Sequence, residues 1–398
     1  MPDQQHTSLP PDIEVADPTA WQIPFNRPHV IGSESTYIEE AVARGQLSGN
    51  GLFAARCARL LEETIGSRSV LLTPSCTAAL EMSAILADVS PGDEVIMPSF
   101  AFVSAANAVV LRGGVPVFVD IREDTCNIDE ALIEEAITDR TKALLVIHYG
   151  GVGCDLDRLG EVAERYGLLL VEDAAHAVGA RWRDRPLGGI GHLGALSFHE
   201  TKNVQCGEGG ALLVNDDRFV ERAEVLQEKG TDRSRFFRGE IDKYTWQDVG
   251  SSFLLSDLGA AFLWAQLEQT EEINAGRHAT WDAYHAAFEQ LERDGRVRRP
   301  VIPEDCEPNA SLYHLLVRDL GERTALVESL AERSIYAAFH YVPLHSSPGG
   351  LRFGRAVGDL PVTRSVSDRL VRLPLWSGIP DAAVERVIES VYAFFSAA

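Results

Sequence analysis

From about residue 60 onward, short apolar and β-branched runs alternate with amphipathic stretches. That alternation points to an α/β chain with a mostly parallel sheet covered by helices on both faces. The runs are Ser69–Thr73, Glu94–Met97, Val115–Asp120, Ala143–His148, Leu168–Glu172, Ala195–Phe198 and Gly210–Val214. Helical spacing falls between them at Thr77–Leu86, Ser104–Arg112, Asp129–Ala136 and Leu156–Tyr166. Near Ser256 the pattern gives way to one long helical run, Leu258 to about Leu291, and then to a mixed segment. A boundary near residue 270 is therefore expected, with a large domain over 21–270 and a smaller C-terminal α/β domain over 271–398. Residues 1–20 are polar and proline-rich with no apolar h-region, and read as a disordered tail and not as a signal peptide.

Composition removes several function classes. The formal charge of −23 argues against a general nucleic-acid or acidic-membrane binder. No run of 18 apolar residues exists to span a bilayer. The six cysteines are scattered, without a C-x-x-C pair or zinc spacing, so reduced thiols, a cytoplasmic location and no metal are expected. Gly189–Gly194 matches G-x-G-x-x-G, but it follows a polar turn and leads into a strand-like run, so no dinucleotide is expected there.

Ligands of open α/β sheets sit at strand ends, and here two strand ends carry complementary chemistry. In SFHETKNVQCGEGGAL (197–212), Lys202 lies between two strands, followed by Gly207, Gly209 and Gly210. Asp173 closes another strand 29 residues earlier (202 minus 173). Pyridoxal phosphate needs that combination: a lysine to form a Schiff base, and an aspartate to keep the ring nitrogen protonated. TPSCTAA (73–79) supplies hydroxyls and free amides at a helix start for the phosphate, and Ser197 is a second phosphate candidate. Phe102, in PSFAF (98–102), offers a face for the ring.

With TPSCTAAL, GDEVIMPSFAFVSAANAVVLRG, VEDAAHAVGA, SFHETKN and CGEGGAL in this order, the chain resembles the sugar aminotransferases of the DegT/DnrJ/EryC1/StrS family, fold-type I pyridoxal-phosphate enzymes, over essentially everything after Trp21. IPFNRP, EKGTDRSRFFRGEIDKYTWQDVG, GSSFLLSDLGAAFLWAQL and FHYVPLH look like the branch that forms dTDP-4-amino-4,6-dideoxygalactose.

The resemblance implies roles position by position. Lys202 is the Schiff-base and proton-carrying lysine, Asp173 the pyridinium partner, and His176, often Gln in the family, the residue that reaches the cofactor's phenolic oxygen. Thr77 and Ala78 bind the phosphate through backbone amides with Ser197 adding a hydroxyl, while Phe102 stacks on the ring. Ser252 stands where many relatives donate an Asn to the phosphate across a dimer interface, which puts cofactor retention in question. Arg233, Arg235, Arg238 and Lys243 form a basic segment for the nucleotide diphosphate in the neighbouring subunit's site. His340, Tyr341 and His345 in FHYVPLH are candidates to close over the sugar, with His345 preferred and His340 open to a structural role, and Tyr149 is a weaker candidate.

The implied reaction moves an amino group from L-glutamate to C4 of a dTDP-4-keto-6-deoxyhexose in a homodimer or higher homo-oligomer with shared active sites. The cofactor alternates between its pyridoxal and pyridoxamine forms. Four alternatives stay open: C3 amination, the gluco epimer for a secondary-metabolite sugar, a non-sugar pyridoxal-phosphate enzyme such as an amino-acid lyase, which would leave the arginine-rich segment without a purpose, and a non-catalytic cofactor-binding protein. The intact Lys202, Asp173 and His176 argue against the last.

Overall fold

Successive residues of the central strands feed opposite layers, which is why those strands read as unbroken apolar runs. In the computed structural model, which describes residues 21–397, Leu144 and Val146 pack into one core while Ala143, Leu145 and Ile147 pack into another. The tail expected over residues 1–20 lies outside the described residues.

The main sheet contains β1 (Ser69–Thr73), β2 (Glu94–Pro98), β3 (Val115–Val119), β4 (Thr141–Ile147), β5 (Leu169–Asp173), β8 (Leu193–Ser197), β9 (Gly210–Val214) and β12 (Arg355–Ala356). Its order is β1-β9-β8-β5-β4-β2-β3-β12, and β9 alone runs against its neighbours. Between β5 and β8 lie β6 (Arg181–Trp182) and β7 (Arg185–Pro186), which form a small sheet with β10 (Cys306–Glu307). A two-stranded ribbon of β11 (Tyr313–Leu316) and β13 (Leu370–Leu373) belongs to a separate C-terminal core.

The long helical run resolves into three helices, Asp257–Leu267, Thr270–Ala287 and Glu289–Arg293, because Gln269 (φ −118°, ψ 19°) and Phe288 (φ −88°, ψ 6°) leave helical geometry. Packing crosses residue 270 in both directions. Ile273 joins a core of the main sheet, Ile23 joins the C-terminal core, and β12 pairs in parallel with β3. Among the described residues no helix is long and apolar enough to cross a membrane.

The glycine-rich loop 188–194 has a structural occupant. Glu172, fully buried in β5, accepts amide hydrogen bonds from Gly188 (2.8 Å), Ile190 (2.7 Å) and Gly191, and its Oε2 lies 2.9 Å from His148 Nε2. The loop cradles an anion, but the anion is the protein's own carboxylate. Burial opposes ionisation of Glu172, yet the His148 ring and these amides hold its pKa below the usual value. Glu172→Ala would strand all these donors, so a loss of about 3–5 kcal/mol is expected, read as a lower urea midpoint than the parent. An unchanged midpoint would show that the loop is held by other contacts.

Candidate active site

The C-terminal ends of β1, β5 and β8 open into one cavity of about 540 Å³, and the chemistry-bearing residues collect there. Asp173 ends β5 at 7% exposure. One carboxylate oxygen accepts the Ala175 amide at 3.1 Å, and the other has no hydrogen-bond partner among the described residues. Burial pushes this carboxyl up, opposed by the Ala175 amide and by Lys202.

Lys202 sits in the turn between β8 and β9 and lines the same cavity. That turn is fastened by buried neighbours: Asn203 donates to Asn274 (2.8 Å) and to the Asn309 carbonyl (2.7 Å), and Gln205 donates to the His29 carbonyl (3.2 Å). Burial pushes the Lys202 amine down to about 8, while the adjacent Asp173 carboxylate pulls it back up. An amine near that value can both accept and release a proton near neutral pH.

Two glycines of the turn have definite reasons. Gly207 adopts φ +79°, a left-handed conformation. Gly210 has no room for a side chain, since a Cβ would lie 2.4 Å from the Cys76 amide nitrogen. This contact presses the start of β9 against the helix Cys76–Leu86.

That helix is capped by Ser75, whose Oγ accepts the Ala78 amide at 3.2 Å. Ala78 N–H is therefore already engaged, and the amides of Cys76 and Thr77 belong to the turn that helix geometry leaves without partners. Thr77 Oγ1 lies 2.7 Å from Ser104 Oγ, and both residues line the cavity. Ser197 ends β8 on the same wall. Phe102 flanks the cavity with 58% of its surface exposed, an unusual position for a phenyl ring without something to cover it.

His176 lies beyond Asp173. Its Nδ1 accepts the Gly150 amide at 3.2 Å, which puts the ring proton on Nε2. Burial and the nearby Lys202, Arg372 and Arg277 charges drive its pKa well below the ordinary value, so the ring is neutral.

The remaining candidates lie elsewhere. Tyr149 is buried behind the wall, its hydroxyl 3.0 Å from His340 Nδ1, and it is His340 and Tyr341 that line the cavity. His345 is turned to Ser99, with Nδ1 2.7 Å from Ser99 Oγ, and does not line the cavity. A strand-end position alone does not say which of several neighbouring rings faces inward.

Ser252 is exposed and outside the cavity, as is the arm from Lys229 to Ser251 that folds back on itself. Within this protomer Arg235 pairs with Glu221 and Glu240, and Arg238 with Glu224 and Glu240. Arg233 lies over Phe237 and Tyr244, and Lys243 is exposed.

Cys76, Arg277 and Arg372 also line the cavity and were not legible as site residues. Arg277 left a faint signal. It falls in the buried stripe Ile273, Arg277, Thr280, Tyr284 of an amphipathic helix, where an arginine needs a reason.

The donor set fits pyridoxal phosphate. The partnerless oxygen of a buried Asp173 suits a protonated ring nitrogen, the open amides at the helix start suit a phosphate, and the exposed Phe102 suits a ring face. Lys202 completes the set with a primary amine.

Residues 29–392 match the model of the DegT/DnrJ/EryC1/StrS aminotransferase family. The chain is 32% identical over 380 residues to the spore coat polysaccharide biosynthesis protein SpsC of Bacillus subtilis (strain 168), covering 93% of this chain and 96% of that protein. Among solved structures it resembles the aminotransferase TlmJ of Streptoalloteichus hindustanus, with 30% identity, TM-score 0.86, and 94% and 99% of the two chains covered. It also resembles the PLP form of Spr1654 from Streptococcus pneumoniae, with 25% identity, TM-score 0.86, and 94% and 99% covered.

Proposed function

Because the chain belongs to the DegT/DnrJ/EryC1/StrS aminotransferase family and is a pyridoxal-phosphate-dependent aminotransferase of a sugar-modifying kind, we propose that it transfers the amino group of L-glutamate to C4 of a dTDP-4-keto-6-deoxyhexose. The galacto product, dTDP-4-amino-4,6-dideoxygalactose, is favoured, with 2-oxoglutarate as the co-product. The observation that supports this reading best is the convergence of Lys202, Asp173 and His176 on one cavity.

Pyridoxal 5′-phosphate, when bound, supplies an electron sink that lets a carbon beside the amino group give up a proton. Lys202 would hold the cofactor covalently and, once displaced by the incoming amine, would take the proton from the α-carbon of the donor. In the second stage it delivers a proton to C4 of the sugar from the face it occupies. Asp173 would hold a positive charge at the ring nitrogen through its partnerless oxygen, and His176 would donate from Nε2 to the phenolic oxygen. The amides of Cys76 and Thr77, with Ser197, would cradle the phosphate.

The protein is proposed to act as a homodimer, with Ser252 and the arm bearing Arg233, Arg235, Arg238 and Lys243 reaching the neighbouring subunit's site. In support, the arm leaves Phe237 and Trp246 exposed at 67% and 81%, a large apolar surface for a single chain to show water. In that arrangement Arg235 and Arg238 would exchange carboxylates for phosphate oxygens.

The test is to supply dTDP-4-keto-6-deoxyglucose and L-glutamate and to assign the product by NMR. Equal amounts of 2-oxoglutarate and a 4-amino-4,6-dideoxyhexose are expected, with an axial C4 amine. An amine at C3, or turnover only with another nucleotide, would overturn the substrate assignment and leave the aminotransferase class intact.

A further inference from the structure

Two guanidinium groups on the cavity wall have no counter-charge among the described residues. Arg277, 3% exposed on the helix Thr270–Ala287, donates from Nε to the Ala310 carbonyl (3.1 Å) and from Nη2 to the Ser311 carbonyl (2.7 Å). Arg372, on β13, donates from Nε and Nη2 to the Phe339 carbonyl (3.3 and 2.9 Å) and lies 4.6 Å over the Phe25 ring. In both, the Nη1 end has no protein partner, and neither arginine forms an ion pair among the described residues.

This arrangement is unusual for the chain. Aspartate and glutamate number 59 against 36 lysines and arginines, so carboxylates are in excess. Other partly buried arginines take them: Arg299 pairs with Glu292, and Arg355 with Glu94. Burying a cation without an anion costs several kcal/mol in general. Burial accordingly pushes Arg277 down to about 9 and Arg372 below its ordinary value. Both arginines line the same cavity as Lys202, His176 and Asp173.

We propose that Arg277 and Arg372 together grip the two carboxylates of the amino donor and restrict it to a dicarboxylic α-amino acid. The inference rests on the aminotransferase reading above. Backbone carbonyls hold the Nε–Nη2 edge of each, two for Arg277 and one for Arg372, and a guanidinium so anchored is suited to a planar carboxylate. They come from separate elements, a helix and a strand, and both line the one cavity, where two cations without acidic partners call for more than one negative charge. The phosphate of the cofactor has its own cradle at the helix Cys76–Leu86 and does not compete.

The experiment uses the cofactor-loaded protein and its Arg277→Met and Arg372→Leu variants, with Arg277→Lys and Arg372→Lys as charge-preserving partners that lack the planar fork. Calorimetric titration with succinate, which has two carboxylates and nothing to react, reads the grip alone. Wild type is expected to bind succinate about a hundredfold more tightly than butyrate, and each neutral variant to lose that preference. Rates of donor conversion with L-glutamate and with L-alanine read selectivity. Wild type should favour L-glutamate by a similar factor, and the neutral variants should approach parity, with partial recovery in the lysine variants.

Variants that keep the succinate preference, or that lose L-glutamate and L-alanine alike, would overturn the grip while leaving the aminotransferase reading in place. Loss of dTDP binding in place of succinate binding would reassign both arginines to the nucleotide and equally overturn it. A wild type that converts no amino acid would sink the reading above, yet succinate binding lost in the variants would still support the grip.

Discussion

Replacing Lys202 with alanine is expected to leave a folded protein that still binds pyridoxal phosphate but turns over about 10⁴-fold more slowly or worse. The expectation follows from isolation: Lys202 is the only lysine among the residues lining the cavity, so no second amine can take its place. His176 cannot substitute as a base, because its Nδ1 already accepts the Gly150 amide and its Nε2 carries the proton. The phosphate cradle at Cys76 and Thr77, the Asp173 carboxylate and the Phe102 face are untouched, so cofactor affinity should fall far less than rate. Rapid mixing with L-glutamate, following the cofactor absorbance, measures the first stage alone. Added methylamine should restore part of the rate, since the missing function is that of a small amine with a suitable pKa. A variant that converts the donor at the parent rate without added amine would remove Lys202 from the chemistry.

Asp173→Asn is expected to lower turnover by roughly 10²- to 10³-fold with a smaller effect on fold. Asparagine keeps the shape and can still accept the Ala175 amide, but presents a neutral amide where the partnerless carboxylate oxygen now faces the cavity. A ring nitrogen beside it loses the charge that keeps it protonated, and the electron sink weakens. Single-turnover rates with L-glutamate check this, together with cofactor affinity by equilibrium dialysis. Unchanged rates in the variant would mean that Asp173 serves only as a cap for the turn after β5.

The sequence carried the sheet well because burial on both faces writes each strand as an apolar run with sharp ends. β1 and β9 fall at the expected bounds, and the other main strands before the C-terminal segment shift by one or two residues. The break at Gln269 was hidden because apolar spacing continues across it, and only backbone geometry records the turn. β12 is two residues long and offers no pattern to read.

At the site, Lys202, Asp173, His176, Thr77, Ser197 and Phe102 come to one cavity because each lies at or just beyond a strand end of one sheet. Tyr149 also ends a strand, but the following Gly150 at φ 65° turns the chain and the ring stays in the core. Arg277 and Arg372 sit in the interior of a helix and of a strand, where local sequence gives no hint of what they face. The arm 229–251 reads as basic in sequence, yet its arginines meet acids that a linear count of charge does not place beside them.

The pairing of β12 with β3, and of Ile23 with Ile335, sets the order in which a nascent chain can finish folding. On the ribosome the helices and first seven main strands could assemble as they emerge, but the open edge of β3 must wait until residue 356 has left the exit tunnel. Ile23, which precedes the whole main sheet, meets its core only after residue 335 appears. Vectorial synthesis therefore leaves a sheet with a bare β3 edge until β12 emerges, a natural client for a holding chaperone.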